Sequence, residues 1–284
     1  MTRVLITGAT GQVGRELVEV FADLEVTALD RAHLDVTHRD DVLDVVRRLR
    51  PHVVVNAAAW TDVDGCESDP ERAHRVNAES VRWLTEATRE VGGHLCHIST
   101  DYVFDGTARR PYREDDATNP RSVYGRSKLA GELELDPSAT LVRTSWVFGR
   151  YGSNVVGTVL RLLDAGAPLR FVDDQVGCPT EAYDLALTIR GLVDARHAGP
   201  VHVTNDEPMS WFGFVQRVAA AAGGDPEQVE PIQTADLVPP RPAPRPPYSV
   251  LDGSLLHSLD TTAPGDLDRA IERVVAAMRS TVKR

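Results

Sequence analysis

The chain has 284 residues, 42% of them hydrophobic and 26% charged, with a formal net charge of −11. That length allows one large core or two unequal domains, and the composition is that of a globular protein rather than a disordered chain. So negative a surface repels nucleic acid and anionic membrane, so neither is a favoured partner, and an anionic small ligand would need a local basic pocket.

In chain order, residues 3–9 (RVLITGA) read as a buried strand, 11–21 as a helix with Val13, Leu17 and Val20 on one face, and 25–30 as a second strand. A helix follows around 40–50, then the continuous apolar strand HVVVNAAA at 52–59, a long helix through about 70–91 and the strand HLCHIS at 94–99. After a turn-rich stretch come a helix near 122–134 and a strand at 139–149. Strands this apolar, alternating with helices, are buried on both faces, which means an α/β fold with a Rossmann-like, doubly wound parallel sheet. Beyond about residue 150 the rhythm is less regular, with helices near 154–165, 182–194, 210–222 and 265–280. The expected organisation is a first domain over 1–150, with a return segment near 176–204, and a smaller C-terminal lobe made mainly of 151–284.

Six of the 18 prolines fall within residues 239–247 (PPRPAPRPP). A rigid loop of polyproline type inside the C-terminal lobe is the expected reading, ahead of a proline-rich ligand for another protein. Cys66, Cys96 and Cys178 are widely spaced and form no C-x-x-C pair, which points to reduced, packing cysteines rather than a disulfide framework or cysteine-bound zinc. No apolar run approaches the roughly 18 residues of a membrane span, and the opening residues carry no signal-peptide pattern, so the expected location is cytoplasmic.

Three constellations carry chemistry. The first is TGATGQVG, with Gly8, Gly11 and Gly14 between a predicted strand and a predicted helix. Glycines there allow a tight turn and close approach of a pyrophosphate to a helix N-terminus, and Asp30, at the end of the second strand, lies where a ribose hydroxyl would be held. A carboxylate opposes the 2′-phosphate of NADP while the adjacent Arg31 can offset it, so NADH and NADPH both stay open.

The second is SVYGRSK at 122–128. Lysine is scarce here: Lys128 and Lys283 are the two lysines among 31 basic residues, yet one of them follows Tyr124 by four positions. That spacing puts both on one helix face, where an ammonium would favour the phenolate and lower the tyrosine pKa. The expectation is a shift of about 3 units, toward neutrality. The third is HISTDYVFDG at 97–106, where Ser99, Thr100 and Asp101 end a strand on the side at which doubly wound sheets bind ligands, so that Thr100 can hydrogen-bond a substrate carbonyl or the tyrosine oxygen.

Together with RPHVVVNAAAWTDVDGCE, VNAESV, VYGRSKLAGE, LVRTSWVFG, DDQVGCPT and RPPYSVLD, these motifs resemble the extended short-chain dehydrogenase/reductase superfamily and, more narrowly, the dTDP-4-dehydrorhamnose reductases, in collinear order over most of the chain. The resemblance implies Tyr124 as catalytic acid, Lys128 as its ribose-binding partner and Thr100 as the hydroxyl beside them. It implies Gly11, Gln12 and Val13 at the cofactor pyrophosphate, Asp30 at the ribose, Asp35 and Val36 at the adenine, and Ala59, Trp60 and Thr61 further along the cofactor. Asp101, Trp146 and Arg245 match substrate-contacting positions.

The implied activity is NADPH- or NADH-dependent reduction of the C4 ketone of dTDP-4-dehydro-L-rhamnose to dTDP-L-rhamnose. Another dTDP-4-keto-6-deoxyhexose is the alternative substrate, and a non-catalytic regulatory subunit of the same fold is the alternative from another class. The related dehydratases read Thr-Asp-Glu where this chain has Thr100, Asp101 and Tyr102. Some members hold magnesium between two subunits. Glu16 matches one of those ligands but Tyr183 stands at another, so no metal is expected and a homodimer is left open.

Overall fold

The computed structural model describes residues 1–282, with side chains through Ser280. Six strands form a wholly parallel sheet: β1 (Arg3–Thr7), β2 (Glu25–Leu29), β3 (Val53–Asn56), β4 (His94–Thr100), β5 (Thr140–Thr144) and β6 (Gly199–His202), in the order β6-β5-β4-β3-β1-β2. The order reverses between β1 and β3. At such a switch point the following connections leave in opposite directions and open a crevice beyond the strand ends.

Alternation along β1 sends Val4 and Ile6 to one face and Leu5 to the other. The first face is covered by α1 (Gln12–Val20) and the second by α2 (Arg39–Leu49) and α3 (Ser80–Glu90), through residues such as Leu17, Val42, Val46 and Leu84. After α4 (Val123–Glu132), the chain leaves the sheet through α5 (Val155–Asp164) and returns with α6 (Ala182–Asp194), whose Leu185 and Ile189 pack beside Leu17 and Phe21. A second core lies among α5, α7 (Trp211–Ala221) and α8 (Leu267–Val282), built from Val159, Phe214, Val218, Ile271 and Val274.

Three elements differ from the sequence expectation. The helix expected over 70–91 is divided into Pro70–His74, a π-helical turn at Arg75–Glu79, and α3. In that turn the buried Asn77 reaches across to Ser127 of α4 and to the Trp60 backbone. The strand expected over 139–149 breaks after Thr144, and Val147–Phe148 pairs instead with Thr180–Glu181. At the break Trp146 has φ 47°, a left-handed conformation rare for a bulky residue. The strand expected over 52–59 ends at Asn56, because Ala57–Ala59 turn outward over the crevice.

The proline-rich segment lies against the short helix Val63–Ser68, where the Asp64 carboxylate accepts from Ala243 N–H and from both terminal nitrogens of Arg245. The three cysteines are free and buried. No helix among the described residues is long and apolar enough to cross a membrane.

Candidate active site

The glycine turn closes the crevice from below. Gly8 has φ 66°, and a Cβ there would stand 2.7 Å from the Ala57 and Ala58 backbone; one on Gly14 would stand 2.1 Å from Gly8 O. Only glycine lets the ends of β1 and β3 and the first turn of α1 come this close. Gly11 caps α1 without a side-chain hydrogen bond, leaving the helix N-terminus open to an anion.

Two cavities meet at Gly11, Ala57 and Ala59. One, of about 330 Å³, lies over β1 and β3 and is lined by Gly8, Arg31, Asp35, Val36, Trp60 and Arg72 among others. The other, of about 420 Å³, is lined by Gln12, Val13, Thr61, Thr100, Asp101, Tyr124, Lys128 and Trp146 among others. Asp30 does not join them. It lines a separate groove with Arg15 and Tyr151, and its Oδ1 accepts from the backbone of Ala32 and His33 and lies 2.7 Å from His33 Nδ1.

The chemistry-bearing side chains stand on two elements that touch. Ser122 caps α4 by accepting from Gly125 N–H, and a Cβ at Gly125 would come within 2.3 Å of Tyr102 O, so the helix is pressed onto the turn that follows β4. That contact brings Tyr124 beside Thr100. Burial pushes the Tyr124 phenol above its usual pKa, and a hydrogen bond with the Thr100 hydroxyl pulls the other way. The expected lowering by Lys128 is not what the chain's own groups produce: the Lys128 ammonium position is turned to Ile98 O, 2.6 Å away, and to His97 Nε2 at 3.2 Å, and desolvation dominates the phenol. Lys128 itself is 2% exposed, and burial lowers it to about 8 against the opposing charge of Glu132. Thr100 Oγ1 donates to Asp101 Oδ1 at 2.9 Å, and burial raises the Asp101 carboxyl to about 6.

A third cavity, of about 350 Å³, adjoins the second at Tyr102 and Trp211. Its walls combine Arg170, paired with Glu230, and Arg241 and Arg245, both paired with Asp64, with Phe171, Trp211 and Gln175, an arginine-rich lining of the kind an anion needs on a chain of net charge −11. Arg245 lies in this third cavity, away from the second. At the junction Trp146 and Trp211 stack, and a Cβ on Gly177 would stand 2.6 Å from the Trp146 ring. Glu16 lies elsewhere, on the buried face of α1, and is held at both oxygens by Arg150.

The family model described as RmlD substrate binding domain matches residues 1–280. A dTDP-4-dehydrorhamnose reductase of Streptomyces griseus is 45% identical over 263 residues, covering 89% of this chain and 86% of the relative. The chain belongs to the dTDP-4-dehydrorhamnose reductase family. A dTDP-4-keto-6-deoxy-D-glucose reductase of Streptomyces niveus is 40% identical over 255 residues, 88% of each chain. The crystal structure of the Bacillus anthracis (strain Ames) dTDP-4-dehydrorhamnose reductase in complex with NADP superposes with a TM-score of 0.92 at 35% identity, covering 97% of this chain and 99% of that one.

Within this family member, several cavity residues escaped sequence reasoning. Trp211, Arg170, Phe171 and Arg241 come from scattered points beyond residue 150, and no local spacing marks them. In the sequence Arg31 stands out only as a neighbour of Asp30, yet Arg31, unlike Asp30, lines the cavity. Asn77 had a signal, an asparagine inside an apolar helical pattern, and it fixes Trp60 by pairing with both its N–H and its carbonyl.

Proposed function

We propose that the chain reduces the C4 ketone of dTDP-4-dehydro-L-rhamnose to dTDP-L-rhamnose with NADPH or NADH. The observation that carries this reading is the sequence of three adjoining cavities, from the glycine turn through Tyr124 and Thr100 to the arginine- and tryptophan-lined pocket. The donor set suits a dinucleotide: an uncapped helix N-terminus after the glycines for a pyrophosphate, and Asp35, Val36 and Arg31 around an adenosine-sized space.

When bound, the nicotinamide cofactor supplies the hydride. Gly8, Gly11, Gln12 and Val13 would hold its pyrophosphate, Asp35 and Val36 its adenine side, and Ala59, Trp60, Thr61, Tyr124 and Lys128 the remainder. Asp30 would serve the ribose through Oδ2, since its contacts with Ala32 and His33 are all made by Oδ1.

Tyr124 is the proton donor to the developing alkoxide, its phenol kept protonated by burial until the charge appears. Thr100 polarises the carbonyl or the phenol, and Lys128 binds ribose hydroxyls. Asp101 and Trp146 meet the sugar. Arg170, Arg241 and Arg245 suit a diphosphate, and Trp211 and Phe171 suit a base. The substrate lobe is then mainly residues 151–284, with 176–204 serving the dinucleotide-binding half. A homodimer and a cytoplasmic location complete the proposal, the first resting on family resemblance and the second on three free cysteines.

The test is dinucleotide oxidation followed at 340 nm with dTDP-4-dehydro-L-rhamnose generated in place, and NMR of the product's C4 configuration. Turnover to dTDP-L-rhamnose supports the reading. The S. niveus relative makes dTDP-4-keto-6-deoxy-D-glucose the next substrate to try, and dinucleotide binding without turnover on any keto sugar would leave a regulatory subunit.

A further inference from the structure

Two arginines line the cavity over β1 and β3, and they differ in one respect. Arg31 is engaged, its Nε 3.2 Å from Asp35 Oδ2. Arg72 is not: among the described residues its guanidinium enters no ion pair and no hydrogen bond, and the contact it makes is with the Trp60 ring, whose centroid lies 4.2 Å from Cζ.

Carboxylates are not scarce in a chain with 42 acidic against 31 basic residues. Five of them fall at positions 62–71, just before Arg72, and each is committed to another group. Asp62 accepts from Gly65 N–H, Glu67 from Val123 N–H and Asp69 from the backbone N–H of Arg72 itself, while Asp64 holds Arg245 and Glu71 faces Arg75. The guanidinium is thereby left to the cavity.

The indole beneath it is fixed before any ligand arrives. Trp60 N–H donates to Asn77 Oδ1 at 2.8 Å, its carbonyl accepts from Asn77 Nδ2 at 3.1 Å, and the same amino group donates to Ser127. A Cβ on Gly65 would stand 3.1 Å from Trp60 Cζ2, so the short helix Val63–Ser68 closes on the ring as well. Arg72 belongs to the helix Pro70–His74, which runs directly into the π-helical turn that carries Asn77. One helical run thus holds the ring and places the cation over it.

A guanidinium is planar and weakly hydrated, so it can lie against one ring and stack on a second, which a compact ammonium does poorly. The opposite wall of the cavity, Leu34, Asp35 and Val36, is where an adenine would lie, and the phosphates of a dinucleotide have their own place at the glycine turn.

We propose that Arg72 is a further cofactor-binding residue of this chain: held over Trp60, its guanidinium stacks on the adenine of the dinucleotide and adds affinity that takes no account of a 2′-phosphate. The reductase reading supplies the identity of the ligand, and the assignment rests on it to that extent. A contact with the base alone serves NADH and NADPH equally and leaves any preference between them to the residues around the ribose.

The experiment is isothermal titration of the full chain and of Arg72→Met, which keeps a long apolar stem and removes both plane and charge. Dissociation constants for NADH, NADPH and ADP-ribose should each rise about three- to thirtyfold, by one common factor. Binding of reduced nicotinamide mononucleotide, which has no adenosine, should not change. Nor should binding of dTDP, which also shows that the variant is folded. The loss should persist at about 0.5 M salt, where a charge acting at a distance is screened.

Arg72→Lys keeps the charge without the plane and should behave like the methionine variant. Full rescue by lysine, a loss that vanishes in salt, or a loss confined to NADPH would each overturn the stack in favour of a simple charge on phosphate. If the wild-type chain bound neither NADH nor ADP-ribose, the dinucleotide reading would fail and this assignment with it. If it bound both and Arg72→Met bound them as tightly, this assignment alone would fail.

Discussion

Trp146 and Trp211 stack with ring centroids 3.8 Å apart and planes 7° from parallel. One ring comes from the break after β5 and the other from the first residue of α7, so the pair joins the sheet to the second core at the junction of two cavities. An aromatic pair is worth about 0.5–1.5 kcal/mol beyond its buried area. Trp211→Ala should therefore raise KM for the nucleotide sugar about two- to tenfold while leaving KM for the dinucleotide unchanged. Steady-state kinetics with each substrate varied in turn checks this, and an equal rise in both constants would show that the pair does no more than hold the lobes together.

Tyr124→Phe removes the hydroxyl beside Thr100 and keeps the ring that packs at 5.5 Å against Tyr102. Loss of a positioned acid typically costs about 10²–10⁴ in rate. The variant should lose kcat on that scale and retain dinucleotide affinity by fluorescence titration. Turnover equal to wild type would remove Tyr124 from the acid role.

Arg143 on β5 and Glu132 at the end of α4 form a buried, bidentate ion pair, with side chains 7% and 4% exposed. Ser99 also donates to this carboxylate. Removing one partner leaves an uncompensated buried charge, so Arg143→Ala should lower stability by about 3–5 kcal/mol in denaturant titration. The double variant Arg143→Met, Glu132→Leu should lose less than the single one. If the single variant were as stable as wild type, the pair would have no structural weight.

His202, on the edge strand β6, is fully buried, and desolvation followed by the Arg143 charge lowers it to about 3. Its folded pKa thus lies below the unfolded value of about 6.5. Between those values the unfolded chain binds the extra proton, so the stabilisation is complete above about pH 6.5 and is lost as pH falls toward 3. From this residue alone about 2 kcal/mol should be gone at pH 5. His94 and His97, also lowered by burial, act in the same direction. Chemical denaturation at pH 7 and pH 5 tests the slope, and it should shrink in His202→Gln.

The sequence by itself determined the parts whose geometry is local. Gly8, Gly11 and Gly14 between a strand and a helix specify a tight turn whatever surrounds them, and four-residue spacing puts Tyr124 and Lys128 on one face of any helix. Continuous apolar strands separated by helices leave little choice but a covered parallel sheet. The helix expected near 182–194 is α6.

What only the tertiary structure decided is where side chains distant in sequence converge and how deeply they are buried. Helix spacing brings Lys128 near Tyr124 but says nothing of β4, and it is Ile98 O and His97 that take the lysine nitrogen while burial raises the phenol. Asp30 stands where the glycine motif predicts an acid, and only the folded turn after β2 shows its Oδ1 engaged by Ala32 and His33. The strand through Thr144 stops where it does because Trp146 must turn onto Gly177 and Trp211, a contact between segments with no shared local pattern. Desolvation and donor–acceptor matching are sums over neighbours from several elements, so they exist only once the chain has folded.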